Sequence, residues 1–158
     1  MVRREAFLTA LCALVLIALV IHTFSAIGQY RAKAITVRSV EFSLDSVAWS
    51  PETRLLLIRL QITNHGPEEV TVERLSVNLF GNAEFVTSKH DAGTQIKISV
   101  GETENYSVER KLSKYYADTL ENLLEEGIDR WLLEGSAVLE LELAEPVRIS
   151  LRLRKDVE

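Results

Sequence analysis

Hydrophobic positions along the chain follow two different rhythms. Residues 6–28 (AFLTALCALVLIALVIHTFSAIG) are apolar at nearly every position and contain no Asp, Glu, Lys or Arg. At about 1.5 Å per residue this run reaches roughly 34 Å as a helix, enough for a hydrocarbon core of about 30 Å. From Ile35 onward the period is two. Ile35 and Val37 alternate with polar residues, then Val40, Phe42 and Leu44 alternate in the opposite phase, a slip that predicts a β-bulge between them. Arg54 to Thr63 places Leu56, Ile58, Leu60 and Ile62 on one face, with Leu55 and Leu57 giving way to Arg59 and Gln61 on the other. That is a strand buried on one side and partly covered on the second. Asn64-His65-Gly66-Pro67 closes it with turn chemistry.

Val70 and Val72 hold one phase and Leu75, Val77 and Leu79 the other, so a second bulge is expected there. Gly81-Asn82 turns into a strand over residues 83–88, followed by a loop over residues 89–94 (KHDAGT) and a short strand carrying Ile96, Ile98 and Val100. After Gly101-Glu102-Thr103, Tyr106 and Val108 continue in period two. One segment changes to helical spacing. Ser113 is the expected N-cap, Tyr116, Leu120, Leu123 and Leu124 form one apolar stripe, and Gly127 supplies a left-handed stop. Trp131, Leu133, Ala137, Leu139, Leu141 and Leu143 then alternate, Pro146 interrupts, and Val147, Ile149, Leu151 and Leu153 form a last strand. Glu140 and Glu142 are spaced to pair across strands with Arg148 and Arg152.

These elements predict a mainly β fold: an immunoglobulin- or fibronectin-like antiparallel sandwich of seven or eight strands with one late α-helix, preceded by a single transmembrane helix. The expected organisation is a basic tail (1–5), a transmembrane signal anchor (6–28), a polar connector (29–34, QYRAKA) and a β-sandwich domain (35–158). Arg3 and Arg4 before the apolar run, and Arg31 and Lys33 after it, fall where the two headgroup layers would lie. Tyr30 suits the same level, or is simply exposed. A core helix would show one apolar stripe, whereas this run is apolar all round. A cleaved signal peptide is the competing reading, since Ala26-Ile27-Gly28 offers small residues at a cleavage site, but the apolar stretch is longer than a usual signal core. Lipidation of Cys12 is disfavoured by the preceding Leu11, and no Gly before Glu5 marks a pilin-type processing site. Basic flanks are nearly balanced; the short leading tail favours an external domain, where the Asn105-Tyr106-Ser107 sequon would matter.

Charge and composition narrow the function. The chain has 158 residues and a formal net charge of −5, and residues 29–158 alone carry −6. Scattered acidic charge is not built to grip phosphate backbones, so nucleic acid is excluded as an expected partner. The single cysteine, Cys12, lies in the apolar run, so the sandwich holds no disulfide and relies on its core. His22, His65 and His90 lack the close ligand spacing a zinc site needs, and His65 and His90 fall in unrelated turns, away from serving a nucleophile. Glu125, Glu126 and Asp129 read as a solvated helix end, and Trp49 and Trp131 as core residues too far apart for a stacking platform. No phosphate-loop, dinucleotide or nucleophile-elbow motif occurs. No catalytic, cofactor-binding or metal-ligating residue is expected.

The stretch from Leu56 to Val86 (LLIRLQITNHGPEEVTVERLSVNLFGNAEFV), followed by a lone helix and the segment Leu133-Glu134-Gly135-Ser136-Ala137-Val138-Leu139, resembles the late embryogenesis abundant type 2 proteins and their water-stress and hypersensitive-response domain. In that family a strand ends at an Asn-Pro-Asn turn, a valine-rich strand follows, and a late helix leads into a strand opening with Gly. Asn64 matches the first Asn of the turn; His65 and Gly66 replace the Pro and second Asn, and Pro67 falls one place later. The resemblance spans most of residues 36–154. It implies a sandwich with one helix, a frequent N-terminal membrane span, an association with desiccation and stress tolerance, and no catalytic residues. Combined with the apolar run, the expected function is a membrane-tethered, non-enzymatic module for interaction or stress protection, with the lipid bilayer engaged through residues 6–28. The alternatives are a structural or adhesion subunit of a cell-surface assembly, a module binding a lipid or apolar ligand along the helix stripe, and a hydrolase with an unrecognised site.

Overall fold

A computed structural model describes residues 2–142 and 144–157, with side chains described from residue 13 onward except at Ala92. Helix α1 (Val2–Ser39) is followed by strands β1 (Val40–Ser50), β2 (Leu55–Asn64), β3 (Val70–Gly81), β4 (Glu84–Ile98) and β5 (Thr103–Lys111). Helix α2 (Lys114–Glu126) then precedes β6 (Arg130–Glu140) and β7 (Val147–Asp156). The seven strands form two antiparallel sheets, ordered β1-β2-β5 and β4-β3-β6-β7. The expected mainly β fold with one late helix and a long apolar N-terminal helix is therefore present. In the immunoglobulin constant arrangement the fourth strand joins the first sheet; here β4 instead pairs with β3.

Alternation places the core as the sequence predicts. Leu56, Ile58, Leu60 and Ile62 of β2 are fully buried, and they face Val72, Leu75, Leu79, Leu133 and Leu139 of the second sheet across one continuous core. The bulge expected after Val72 exists: β3 shifts register between Val72 and Arg74 against both β4 and β6. The extra residue, Glu73, lets Val70, Val72, Leu75, Val77 and Leu79 all stay buried despite the change of phase.

Four expectations are corrected. First, the connector at 29–34 and the start of the first strand are helical, because α1 runs unbroken to Ser39. Residues 29–39 contain neither Gly nor Pro, and Gln, Arg, Ala and Lys extend a helix readily. The phase change between Val37 and Val40 is thus a helix-to-strand transition. The bulge in β1 lies between Leu44 and Ser46, where it keeps Val47 and Trp49 against the core. Second, residues 89–94 are not a loop. Residues 89–92 pair with β3 (Ser76↔His90, Leu75↔Asp91), so two expected strands merge into the single β4, interrupted where Gly93 (φ 88°) and Gln95 (φ 42°) turn the backbone left-handed. Third, the inward stripe of α2 is Ala117, Leu120 and Leu123, while Tyr116 and Leu124 remain partly exposed. Ser113 occupies the N-cap position without a side-chain cap; its carbonyl accepts from the Ala117 N–H, and Gly127 ends the helix at φ 89°. Fourth, the β6–β7 register sets Glu134 opposite Arg152 and Val138 opposite Arg148. Arg152 Nε pairs with Glu134 Oε1 at 3.1 Å, so Glu140 and Glu142 do not meet Arg148 and Arg152. Leu143, expected to extend β6, lies outside the described residues.

Candidate functional site

The chain brings its most unusual residues together where α1 meets the foot of the sandwich. The last turns of α1 present Ala32, Thr36, Val37 and Ser39 to the sandwich, and Thr36 is completely buried. The first of these follow the i, i+4 spacing of one helix face. Opposite them lies the turn after β2. Gly66 packs so closely on Thr36 that a Cβ placed on it would lie 2.5 Å from Thr36 Cα and 2.8 Å from Thr36 Cβ and Cγ2. Only a residue without a side chain permits that approach. Thr36 Oγ1 donates to the Ala32 carbonyl at 3.1 Å and accepts the Glu68 N–H at 3.3 Å, while the His65 N–H donates to the Ser39 carbonyl at 3.0 Å.

Asn64 is the hub of this junction. Its side chain is fully buried, which is costly for an amide unless every polar atom is matched. Nδ2 donates to the carbonyls of Glu68 (2.7 Å) and Ile98 (3.1 Å), and Oδ1 accepts the Gly66 N–H (2.9 Å). Its own N–H donates to the Glu102 carbonyl (3.0 Å) and its carbonyl accepts the Gly101 N–H (2.8 Å). One residue thereby ties the end of β2, the following turn and the β4–β5 connection into one unit. Gly101, at φ 77°, supplies the left-handed turn that aims its N–H at Asn64. Of the family-turn residues, Asn64 and Gly66 form the junction and Pro67 is exposed on its rim. Thr36 is the participant that sequence reading missed. Its helical spacing from Ala32 was the available signal, hidden by the apparent strand alternation of Ile35 and Val37.

The remaining singled-out residues are dispersed. His65 Nε2 lies 3.2 Å from Glu41 Oε2 on the exposed side of the junction. His90 sits on β4 opposite Ser76, and His22 is on the exposed apolar stretch of α1. Asn105 is exposed on β5 opposite Gln61. Its neighbour Tyr106 bridges the two sheets: the phenol donates to Asp91 Oδ2 at 2.6 Å, with Lys89 Nζ 3.6 Å from Asp91 Oδ1. Burial, followed by the hydrogen bond and charge of Asp91, raises the Tyr106 pKa above the usual tyrosine range. Trp131 is buried, and Trp49 packs on the core with its indole N–H unpartnered. Among the described residues no three His, Cys, Asp or Glu side chains come together to hold a metal ion. The junction itself uses its polar atoms internally, so its chemistry is structural: it joins an apolar helix to a β body without a flexible linker.

A cleft of about 980 Å³ opens beside the junction, between Gln29 and Lys33 of α1 and the acidic end of the sandwich at Glu68, Glu140 and Glu142. Near the N-terminus, α1 is long and apolar enough to cross a membrane, and none of its apolar window is buried against the rest of the chain.

No protein-family model matches the chain, and no curated relative does. A solved structure does share its fold. A protein from Arabidopsis thaliana, solved in solution, is similar over 75% of this chain and 77% of its own, with 12% identity and a TM-score of 0.50. A protein named as a candidate late embryogenesis abundant (LEA) protein, also solved in solution, aligns over 89% of this chain and 83% of its own at 15% identity, with a TM-score of 0.46. A protein from Archaeoglobus fulgidus aligns over 76% of this chain and 96% of its own at 10% identity and a TM-score of 0.43. At such identities the likeness to the Arabidopsis thaliana structure bears on architecture alone.

Proposed function

We propose that the chain is a membrane-tethered, non-enzymatic β-sandwich module for interaction or stress protection, of the kind found in late embryogenesis abundant type 2 proteins, with its domain outside the cytoplasm. The observation that carries this reading is the continuity of α1: one helix passes from the apolar run into the buried Thr36–Gly66–Asn64 contact. Here Thr36 lies only eight positions after Gly28 and is fully buried. The Asn-containing turn on which the family resemblance rests is the same turn that receives the helix.

The surface-assembly alternative finds less support. Edge strands β5 and β7 carry Glu104, Glu109, Arg148, Arg152 and Arg154, and β4 is broken by its irregularity at Gly93–Gln95. Charges and bulges of this kind discourage edge-to-edge pairing. Nor is the α2 stripe free to line an apolar ligand groove, because Ala117, Leu120 and Leu123 belong to the core.

The deciding experiment combines flotation of the full chain with liposomes and protease protection of a tag after Glu158 in intact cells. We expect the chain to float, to resist alkaline extraction and to lose the tag to external protease. Recovery of a soluble polypeptide starting at Gln29 would refute the tether, and a protected tag would refute the external placement.

A further inference from the structure

The cleft beside the junction carries unpaired charge of opposite sign on its two walls. Lys33 on the α1 wall and Glu68, Glu140 and Glu142 on the sandwich wall line the same space, yet none of them forms an ion pair with another among the described residues. Glu69, also on the sandwich wall, is already engaged by Lys97 at 3.6 Å. Opposite charges that face a shared opening without closing it are complementary to a ligand that carries both signs. A zwitterion can place its anionic group at Lys33 and its cationic group among the carboxylates.

Position identifies the source of that zwitterion, and this step rests on the tethered reading above. The apolar run ends at Gly28, so Gln29 and Lys33 begin immediately beyond the hydrocarbon. A headgroup layer is about 5–8 Å deep on each side of the bilayer, and the five residues from Gln29 to Lys33 rise about 7 Å. The helix wall of the cleft therefore coincides with the headgroup layer. Carboxylates favour a cation with N–H donors, which a primary ammonium has and a trimethylated ammonium lacks. Glutamates outnumber lysines along the cleft, which opposes headgroups of net negative charge.

We infer that this cleft holds the headgroup of a zwitterionic phospholipid bearing a primary ammonium, its phosphate toward Lys33 and its ammonium among Glu68, Glu140 and Glu142. The test uses the full chain reconstituted in phosphatidylcholine bilayers containing trace acyl-chain spin-labelled phosphatidylethanolamine, phosphatidylcholine or phosphatidylglycerol. Electron paramagnetic resonance reads the motionally restricted fraction of each. Spin-labelled phosphatidylethanolamine is expected to be enriched about threefold over phosphatidylcholine, the scale of a partly solvated charge contact, with phosphatidylglycerol below both. The triple variant Glu68→Gln, Glu140→Gln, Glu142→Gln is expected to abolish the enrichment, with circular dichroism confirming that it is folded. Equal fractions for phosphatidylethanolamine and phosphatidylcholine, a preference for phosphatidylglycerol, or an enrichment that survives in the triple variant would each overturn the assignment. Flotation of every sample separates the two readings: a chain that floats without lipid selectivity refutes only the cleft, whereas one that does not float refutes the tether and the cleft together.

Discussion

Replacing Gly66 with alanine tests the junction directly. The added Cβ would lie 2.5 Å from Thr36 Cα, whereas ordinary contact begins at 3.4 Å. The neighbour is backbone, so no rotamer change relieves it; α1 or the turn must move by nearly 1 Å. Overpacking of this kind costs about 1–3 kcal/mol. A shift of that size also lengthens the bonds from the Glu68 N–H to Thr36 Oγ1 (3.3 Å) and from the His65 N–H to the Ser39 carbonyl (3.0 Å). Each contributes about 1 kcal/mol. The expected loss is about 3 kcal/mol, a fall in Tm of roughly 6–12 °C for a chain of this size. Thermal and urea unfolding of the full chain in detergent micelles, followed by the fluorescence of Trp49 and Trp131, measures it. Thr36→Gly removes two of the three clashing atoms, and a double-mutant cycle should recover about 1 kcal/mol of coupling. A Gly66→Ala variant within about 0.5 kcal/mol of the parent, with no coupling to Thr36, would show that helix and turn are not in contact, and the argument for a rigid tether would fall.

Other consequences are equally open to measurement. Asn64→Ala leaves two carbonyls and one N–H without their buried partner and should cost about 2–4 kcal/mol in urea unfolding. Asn64→Asp should be worse at neutral pH, because a carboxylate would face the carbonyls of Glu68 and Ile98, and should recover partly in acid, where a protonated carboxyl can donate again. Tyr106 has its folded-state pKa raised, so its contribution is complete below the unfolded tyrosine value of about 10 and is lost as pH rises above it. The unfolding midpoint should therefore fall in that alkaline range, and Tyr106→Phe should flatten the dependence. Arg152 and Glu134 are partly solvated, so a double-mutant cycle on their 3.1 Å pair should return well under about 1 kcal/mol. Expression through a glycosylating secretory pathway should add one glycan at the exposed Asn105, seen as a gel shift that Asn105→Gln removes.

Much of the sandwich was legible because alternation is a direct imprint of a two-faced strand. Leu56 to Ile62 and Val70 to Leu79 announce both their burial and, through the slip after Val72, the bulge at Glu73. The misreadings share one cause: a local pattern with two structural meanings. Ile35 and Val37 alternate like a strand, yet they lie on a helix whose inward face is Ala32, Thr36 and Val37, with Ile35 exposed. His90 to Thr94 carries turn residues, yet β3 supplies a pairing partner through Ala92, and the turn chemistry is confined to the break at Gly93 and Gln95. The stripe on α2 is displaced toward Ala117, Leu120 and Leu123, and Leu123 packs over Gly81, 3.6 Å from where a Cβ would stand. The junction was half legible. The Asn64 turn stood out, but its partner Thr36 is distant in sequence, and single-sequence periodicity does not report on contacts between separate elements.

The unbroken α1 gives the domain a mechanical property. Its 38 residues make a rod of about 57 Å, of which about 16 Å continues past the apolar run before β1 begins. Set in line with that rod, the twelve residues of β3 would add about 40 Å of height above that point. Apolar helices lean by about 20° to match the thickness of the layer they cross. With no hinge to absorb the lean, the far end of the body would swing sideways by roughly 19 Å. On the tethered reading proposed above, a change in bilayer thickness would become a displacement of the loops around α2, as a needle turns a small movement at its pivot into a large one at its tip.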